Sequence, residues 1–129
     1  MNKIVEELKK VKVFYVATVS NGGARVRPFS SVCEFEGNAY ICTGNQKDFF
    51  KQVTANPQIE LCGMYDQTSW LRVTATAVCD GRVEARRAML ADPTGPSMLY
   101  TEDDGIFTVF RLDNAKAVKY SFFSAPEEL

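Results

Sequence analysis

The sequence contains no histidine. That removes Ser-His-Asp and Cys-His nucleophilic machinery, an imidazole-ligated haem iron and most catalytic zinc sites. An enzyme built this way draws its chemistry from elsewhere, such as a bound cofactor. The four cysteines, at 33, 42, 62 and 79, form no C-x-x-C pair, so a zinc ribbon or thioredoxin-type motif is not expected. Each lies in an apolar run and is expected to be a buried, reduced thiol. There is no basic excess: 15 Lys and Arg stand against 16 Asp and Glu, a formal charge of -1. A general nucleic-acid binder is therefore not expected, although a local basic pocket for a small anion remains open. No apolar run approaches the roughly 18 residues of a membrane span. The start, "MNKIVEELKK", is charged and amphipathic, unlike a signal peptide. A cytoplasmic protein without a membrane or nucleic-acid partner is expected. Repeats, linkers and low-complexity stretches are also lacking.

The chain has 129 residues, 46% of them hydrophobic and 12% aromatic. That predicts one domain over 1–129, large enough to bury its own core. Ile4, Val5, Leu8 and Val11 recur at helical spacing, with Asn2 placed to cap the helix and Lys9 and Lys10 near its end. "FYVATV" reads as a buried strand, "SNGG" as a hairpin turn and residues 24–35 as the next strand. "AYICT" is a third strand. "GNQKDFFKQVTANP" then changes to helical period, with Asn45 and Asp48 resembling a capping box and Asn56-Pro57 ending the helix. "QIELCGMYD" and "TSWLRVTATAVCD" pair as strands. "GRVEARRAMLAD" is a helix stopped by Pro93. "GIFTVFRLD" and "AKAVKYSFF" read as two last strands turning at "NA". Six or seven strands with two or three short helices predict a mostly antiparallel barrel with peripheral helices.

Three cationic stretches stand out. In "ARVRPFS", Arg25, Arg27 and Phe29 share a strand face, at about 6.6 Å per two residues. Pro28 cannot donate to a ladder, so this strand is an edge or leaves its partner there. Such an edge suits a planar anionic ligand; a solvated edge guarded by charge is the plain alternative. In "TGNQKDFFK", Lys47 and Lys51 fall at the start of a helix, which already carries partial positive charge. A phosphate met by Thr43, free N–H groups and both lysines explains that placement; a solvated amphipathic helix is the alternative. In "SWLRVTA", Arg72 shares a face with the only tryptophan, Trp70, either as one more positive group beside a ligand or stacked on that ring. "TEDDG" reads as a solvated loop without the spacing of a metal loop, "ARRAM" as a wet helix face, and "KYSFF" as core strand whose Tyr120 or Phe122 could edge a ring pocket across a dimer contact.

In their order along nearly the whole chain, these segments resemble the pyridoxamine 5'-phosphate oxidase-like family of FMN-binding split barrels, in its small single-domain form. The resemblance implies an α+β fold, a six-stranded antiparallel split β-barrel with short peripheral helices, which homodimerises with FMN at the interface. It implies cofactor contacts from Arg25, Val26, Arg27, Pro28 and Ser30 on one strand. Cys42, Thr43, Asn45 and Lys47 follow in "CTGNQK", Lys51 a turn later, and Arg72 early in the "WLRVTA" strand. Guanidinium groups at the flavin edge would favour the anionic reduced form. No residue is assigned a catalytic role, and none a metal. Two departures shape the expected activity. The vitamin B6 oxidase proper has a longer C-terminal segment, so that activity is not expected. Nitroimidazole-reducing members tend to carry a histidine near the flavin, and this chain has none. The function expected is an FMN-dependent oxidoreductase passing electrons from a reduced nicotinamide to a small acceptor. A flavin-binding or sensing module without turnover, and a split barrel using a deazaflavin, are the alternatives.

Overall fold

In the computed structural model, which describes residues 2–129, every strand pairing among the described residues is antiparallel. The chain opens with α1 (Lys3–Val11), whose Ile4, Val5, Leu8 and Val11 face the core. The Asn2 side chain caps it as predicted, accepting from Ile4 N at 2.8 Å and Val5 N at 3.2 Å. Then follow β1 (Phe14–Ser20), β2 (Gly23–Phe29), β3 (Cys33–Phe35), β4 (Asn38–Gly44), α2 (Asp48–Ala55), β5 (Gln58–Met64), β6 (Ser69–Asp80), α3 (Val83–Ala91), β7 (Phe107–Ser121) and β8 (Glu127–Glu128). The sheet order is β2-β1-β5-β6-β7-β4-β3, with β8 added on β7. β3 and β8 are fragments of three and two residues, so six long strands carry the split barrel. The core joins Phe14 and Val16 of β1, Leu61 of β5, and Leu71 and Val73 of β6 to α1 and to Phe49 and Val53 of α2.

The structure differs from the sequence reading at five points. Residues 24–35 are not one strand. β2 ends at Phe29, just after Pro28 removes a ladder donor, and Ser31 instead donates to the Thr94 carbonyl at 2.6 Å. The "NA" turn is not a hairpin. β6 pairs with β7 from Val109 to Ser121, on both sides of this point, so the chain runs straight on through a bulge where Asn114 takes a φ of 53° and the register shifts between Thr74 and Thr76. The capping box at Asn45 does not form either. Lys47 occupies the cap of α2 with no side-chain cap, while the Asn45 amide donates to Gly105 O at 2.9 Å. Finally, Cys33 and Cys42 are buried but Cys62 is only partly so, and Cys79, next to the end of β6, is exposed. Phe122 and Phe123 at the end of "KYSFF" are likewise exposed.

Candidate functional site

β2 and β4 sit at opposite ends of the long-strand order, yet their residues line one cleft of about 440 Å³. The sheet therefore curls until these two strands face each other across a gap it does not close with hydrogen bonds. β2 pairs only with β1, so Pro28 lies on an edge strand, as its missing donor requires. From β2 and its exit come Arg27, Pro28, Phe29, Ser30 and Ser31; from β4, Cys42 and Thr43. Lys47 and Phe49 come from the start of α2. The fourth wall is the segment between α3 and β7, with Pro96, Leu99 and Tyr100. No carboxylate lines this cleft among the described residues.

Arg27 is the most closely held of these groups. The pairing of Val16 with Arg27 and Thr18 with Arg25 turns both arginines toward the side of the sheet on which α2 packs. Arg27 Nη1 donates to Thr18 Oγ1 at 2.8 Å and Val16 O at 3.2 Å, and Nη2 donates to Gln52 Oε1. Its guanidinium lies 5.1 Å from the centroid of Phe49. Burial pushes its pKa down from the ordinary arginine value, and Asp48 pushes it back up, so it keeps its charge. The rings of Phe29 and Phe49 meet edge-on at 5.0 Å and form an apolar wall beside it.

Lys47 stands where α2 begins, and no side chain caps that end. Phe50 N donates back to Lys47 O, but α2 keeps first-turn N–H groups without a side-chain acceptor. Cys42 faces the cleft as a neutral thiol: burial pushes its pKa up to about 12, against smaller lowering effects from Ser31 and Lys47. Burial likewise takes Cys33 to about 12, with Asp92 adding to the rise. A thiol reagent at pH 8 is accordingly expected to label Cys79 first, Cys33 and Cys42 reacting only as the fold opens. Peptide mapping after brief labelling checks this; immediate labelling of all four thiols would show that the β4 side of the cleft opens freely.

The cleft thus gathers Arg27, Pro28, Ser30, Cys42, Thr43 and Lys47 from the expected set. The other five lie elsewhere. Arg25 is exposed and folds back so that Nη1 donates to Ala24 O at 3.0 Å. Val26 points outward, 66% exposed. Asn45 lines a separate hollow with Arg86 and Glu102. Lys51 lines another, beside Asn21 and Gly22 of the β1–β2 turn. Arg72 is on the outer face of the sheet, where its Nε donates to Glu60 at 2.7 Å and its guanidinium lies 5.2 Å from the Tyr120 centroid; it stacks on that ring, which itself stacks on Trp70. The cleft also takes Phe29, Ser31 and Phe49, chain neighbours of expected residues that the sequence reading did not assign to the site. That reading missed Pro96, Leu99 and Tyr100 altogether. Their only local signal is the Gly95-Pro96 turn, which says nothing about a wall some fifty residues away along the chain.

Among the described residues no cluster of His, Cys, Asp or Glu could hold a metal ion, and no helix is long and apolar enough to cross a membrane. No curated protein matches the chain by sequence. Among solved structures, a NimC/NimA family protein from Clostridium acetobutylicum shares 36% identity with a TM-score of 0.92, over 98% of this chain and 89% of that one. An FMN-binding, pyridoxamine 5'-phosphate oxidase-related protein from Nostoc punctiforme has the same fold at 13% identity and a TM-score of 0.68, over 97% and 92%. A heme storage protein from Vibrio cholerae does so at 19% and 0.67, over 88% and 90%. With residues 1–117 matching the family's own sequence pattern, the chain belongs to the pyridoxamine 5'-phosphate oxidase family.

Proposed function

We propose that the cleft between β2 and β4 binds FMN, and that the protein is an FMN-dependent oxidoreductase passing electrons from a reduced nicotinamide to a small acceptor. The observation that carries this reading is the make-up of the cleft: two cations and aromatic walls with no lining carboxylate, in a volume of about 440 Å³ that suits a ligand of this size. Lys47 and the first N–H groups of α2 hold the phosphate, in the arrangement that favours an anion at a helix start. Arg27, fixed by Thr18 and Gln52, keeps a positive charge beside the planar ring, while Phe29 and Phe49 exclude water from that side. FMN, when bound, supplies the hydride-accepting and electron-passing chemistry. The protein contributes placement and charge, and Cys42 stays a neutral bystander at neutral pH.

A homodimer belongs to the same reading. Tyr15, Val19, Val26 and Met64 leave about half or more of their surface exposed on the outer face of β1, β2 and β5, and a second copy is the occupant that covers it. A cytoplasmic location fits four thiols that form no disulfide. A haem in this cleft would find no imidazole, since the chain has no histidine.

The experiment is a visible spectrum of the protein after FMN is added and the excess removed, with the solution mass measured alongside. The parent is expected to keep its flavin as a dimer. Lys47→Ala is expected to lose at least about tenfold in affinity, the worth of one charge-assisted contact. Bleaching by NADH or NADPH separates an oxidoreductase from a binding module. A parent that retains no flavin sinks the FMN assignment, and a deazaflavin becomes the ligand to try.

A further inference from the structure

Tyr100 lines the cleft from the segment between α3 and β7, and its ring stacks on Phe107 with centroids 5.1 Å apart. Its hydroxyl stands over the bare backbone of Gly44: a β-carbon there would come within 2.7 Å of it. The side-chain oxygen of Gln46 crowds the same point. The hydrogen bonds nearby go elsewhere, from the Asn45 amide to Gly105 O and from Thr101 N to Asp104. Neither the Tyr100 hydroxyl nor the Gln46 amide takes part in one among the described residues. Two uncommitted polar groups thus converge over a glycine at the end of β4, and a side chain at position 44 would push them apart.

The segment is not a loose flap. At one end Thr94 Oγ1 donates to Val32 O at 3.0 Å and accepts from Val32 N at 3.0 Å. At the other, the Asp104 carboxylate accepts from the N–H groups of Thr101, Ile106 and Phe107. Between these ties Tyr100 N donates to Pro96 O, closing a turn that sets the ring against Phe107. The hydroxyl is therefore held in place before any ligand arrives. Its place is also specific. Gly44 O, beneath it, accepts from Lys47 N at 3.1 Å, so the uncommitted donor lies at the Lys47 end of the cleft, away from the Arg27 end.

We propose that Tyr100 is a ligand-anchoring residue whose hydroxyl donates to a phosphate oxygen of the molecule in the cleft, and that Gly44 is bare so that this hydroxyl can take its place there. The proposal rests on the FMN reading and adds a recognition residue to it. A phosphate oxygen only accepts at neutral pH, which suits a phenol donor, and no carboxylate lines the cleft to compete.

The test titrates FMN and riboflavin, which lacks the phosphate, into parent and Tyr100→Phe by quenching of flavin fluorescence. Phenylalanine keeps the ring on Phe107 and removes only the donor. FMN affinity is expected to fall about tenfold or more, the worth of a hydrogen bond to a charged oxygen, with riboflavin affinity unchanged. Gly44→Ala is expected to reproduce that pattern by displacing the hydroxyl. An unchanged FMN affinity in Tyr100→Phe overturns the proposal, and so does an equal loss for riboflavin, which would mark a packing role. If the parent takes neither flavin, the FMN reading fails, and inorganic phosphate then decides this one. A thermal midpoint raised by phosphate in the parent but not in Tyr100→Phe supports the anchor; no rise in the parent overturns it.

Discussion

Replacing Phe110 by alanine is expected to cost the fold about 3–5 kcal/mol and to take the cleft with it. Phe110 is 2% exposed on β7, and its ring meets Phe49 at 6.0 Å and Phe50 at 6.1 Å. Phe49 in turn meets Phe29, and Phe29 meets Phe14 at 6.2 Å. This chain of rings ties α2 to β7 on one side and to β1 and β2 on the other. α2 has eight residues, well short of the roughly 12–15 at which an isolated helix becomes marginal. Its helicity therefore comes from packing, and Phe110 is the floor it packs on. A domain of this size has about 5–15 kcal/mol in total, so the loss takes a large share of it. Urea unfolding, followed by the single Trp70, gives the midpoint. Hydrogen exchange of the α2 amides gives the local effect, since Lys47 and Phe49 reach the cleft only while α2 is formed. Phe110→Leu, which refills most of the volume, is expected to recover much of the stability. A loss under about 1 kcal/mol for the alanine variant would mean that the barrel collapses into the void and that α2 does not depend on this ring.

The same ring chain shows why the fold was more legible than the site. Period-two alternation fixes which residues of a strand share a face, and it grouped Arg25, Arg27 and Phe29 correctly. It does not say which face meets the cleft. That is set by the partner strand: the pairing of Val16 and Thr18, both buried, with Arg27 and Arg25 puts both arginines on the α2 side of the sheet, where Arg27 reaches the cleft and Arg25 stays exposed. For Arg72 the same rule placed it beside Trp70, but the pairing with Cys62 and the ion pair to Glu60 put that face outward. Helical spacing had a similar limit. Lys47 and Lys51 are four apart, yet α2 starts at Asp48, so Lys47 is a cap residue and Lys51 turns toward the β1–β2 hairpin. Asn2 was legible as a cap because the signal and the partner N–H groups are adjacent in sequence. Tyr100 was not, because its segment is tied to the barrel by Thr94 bonds to Val32, which join stretches far apart in the chain.

Asp80→Asn is expected to lower stability at pH 7 by about 1–3 kcal/mol and to flatten the acid side of the stability curve. Asp80 closes β6 and is buried. Its carboxylate accepts from Tyr40 Oη at 2.7 Å, from Arg82 Nε at 3.0 Å and Nη2 at 2.8 Å, and from Arg82 N at 3.1 Å. The Arg82 hydrogen bonds are the largest influence and hold the Asp80 pKa far below the usual carboxylate value; burial opposes them, and Tyr40 adds to them. A carboxylate with a depressed folded pKa contributes its stability in full above its unfolded pKa of about 4. That contribution is lost as pH falls below this value toward the folded pKa. Asparagine can still accept from Tyr40 but carries no charge for Arg82, whose other partner, Glu36, is on the surface. Since the Arg82 side chain is 46% exposed, water screens part of the loss, which keeps the expected figure below that of a fully buried pair. Urea midpoints at pH 7 and pH 3 for both proteins decide the matter. The gap between parent and variant is expected to narrow at pH 3, where the unfolded parent takes up a proton at Asp80 that the folded protein, with its depressed pKa, does not. A gap that stays constant would assign the loss to packing at the end of β6, with Asp80 acting through its shape and not its ionisation.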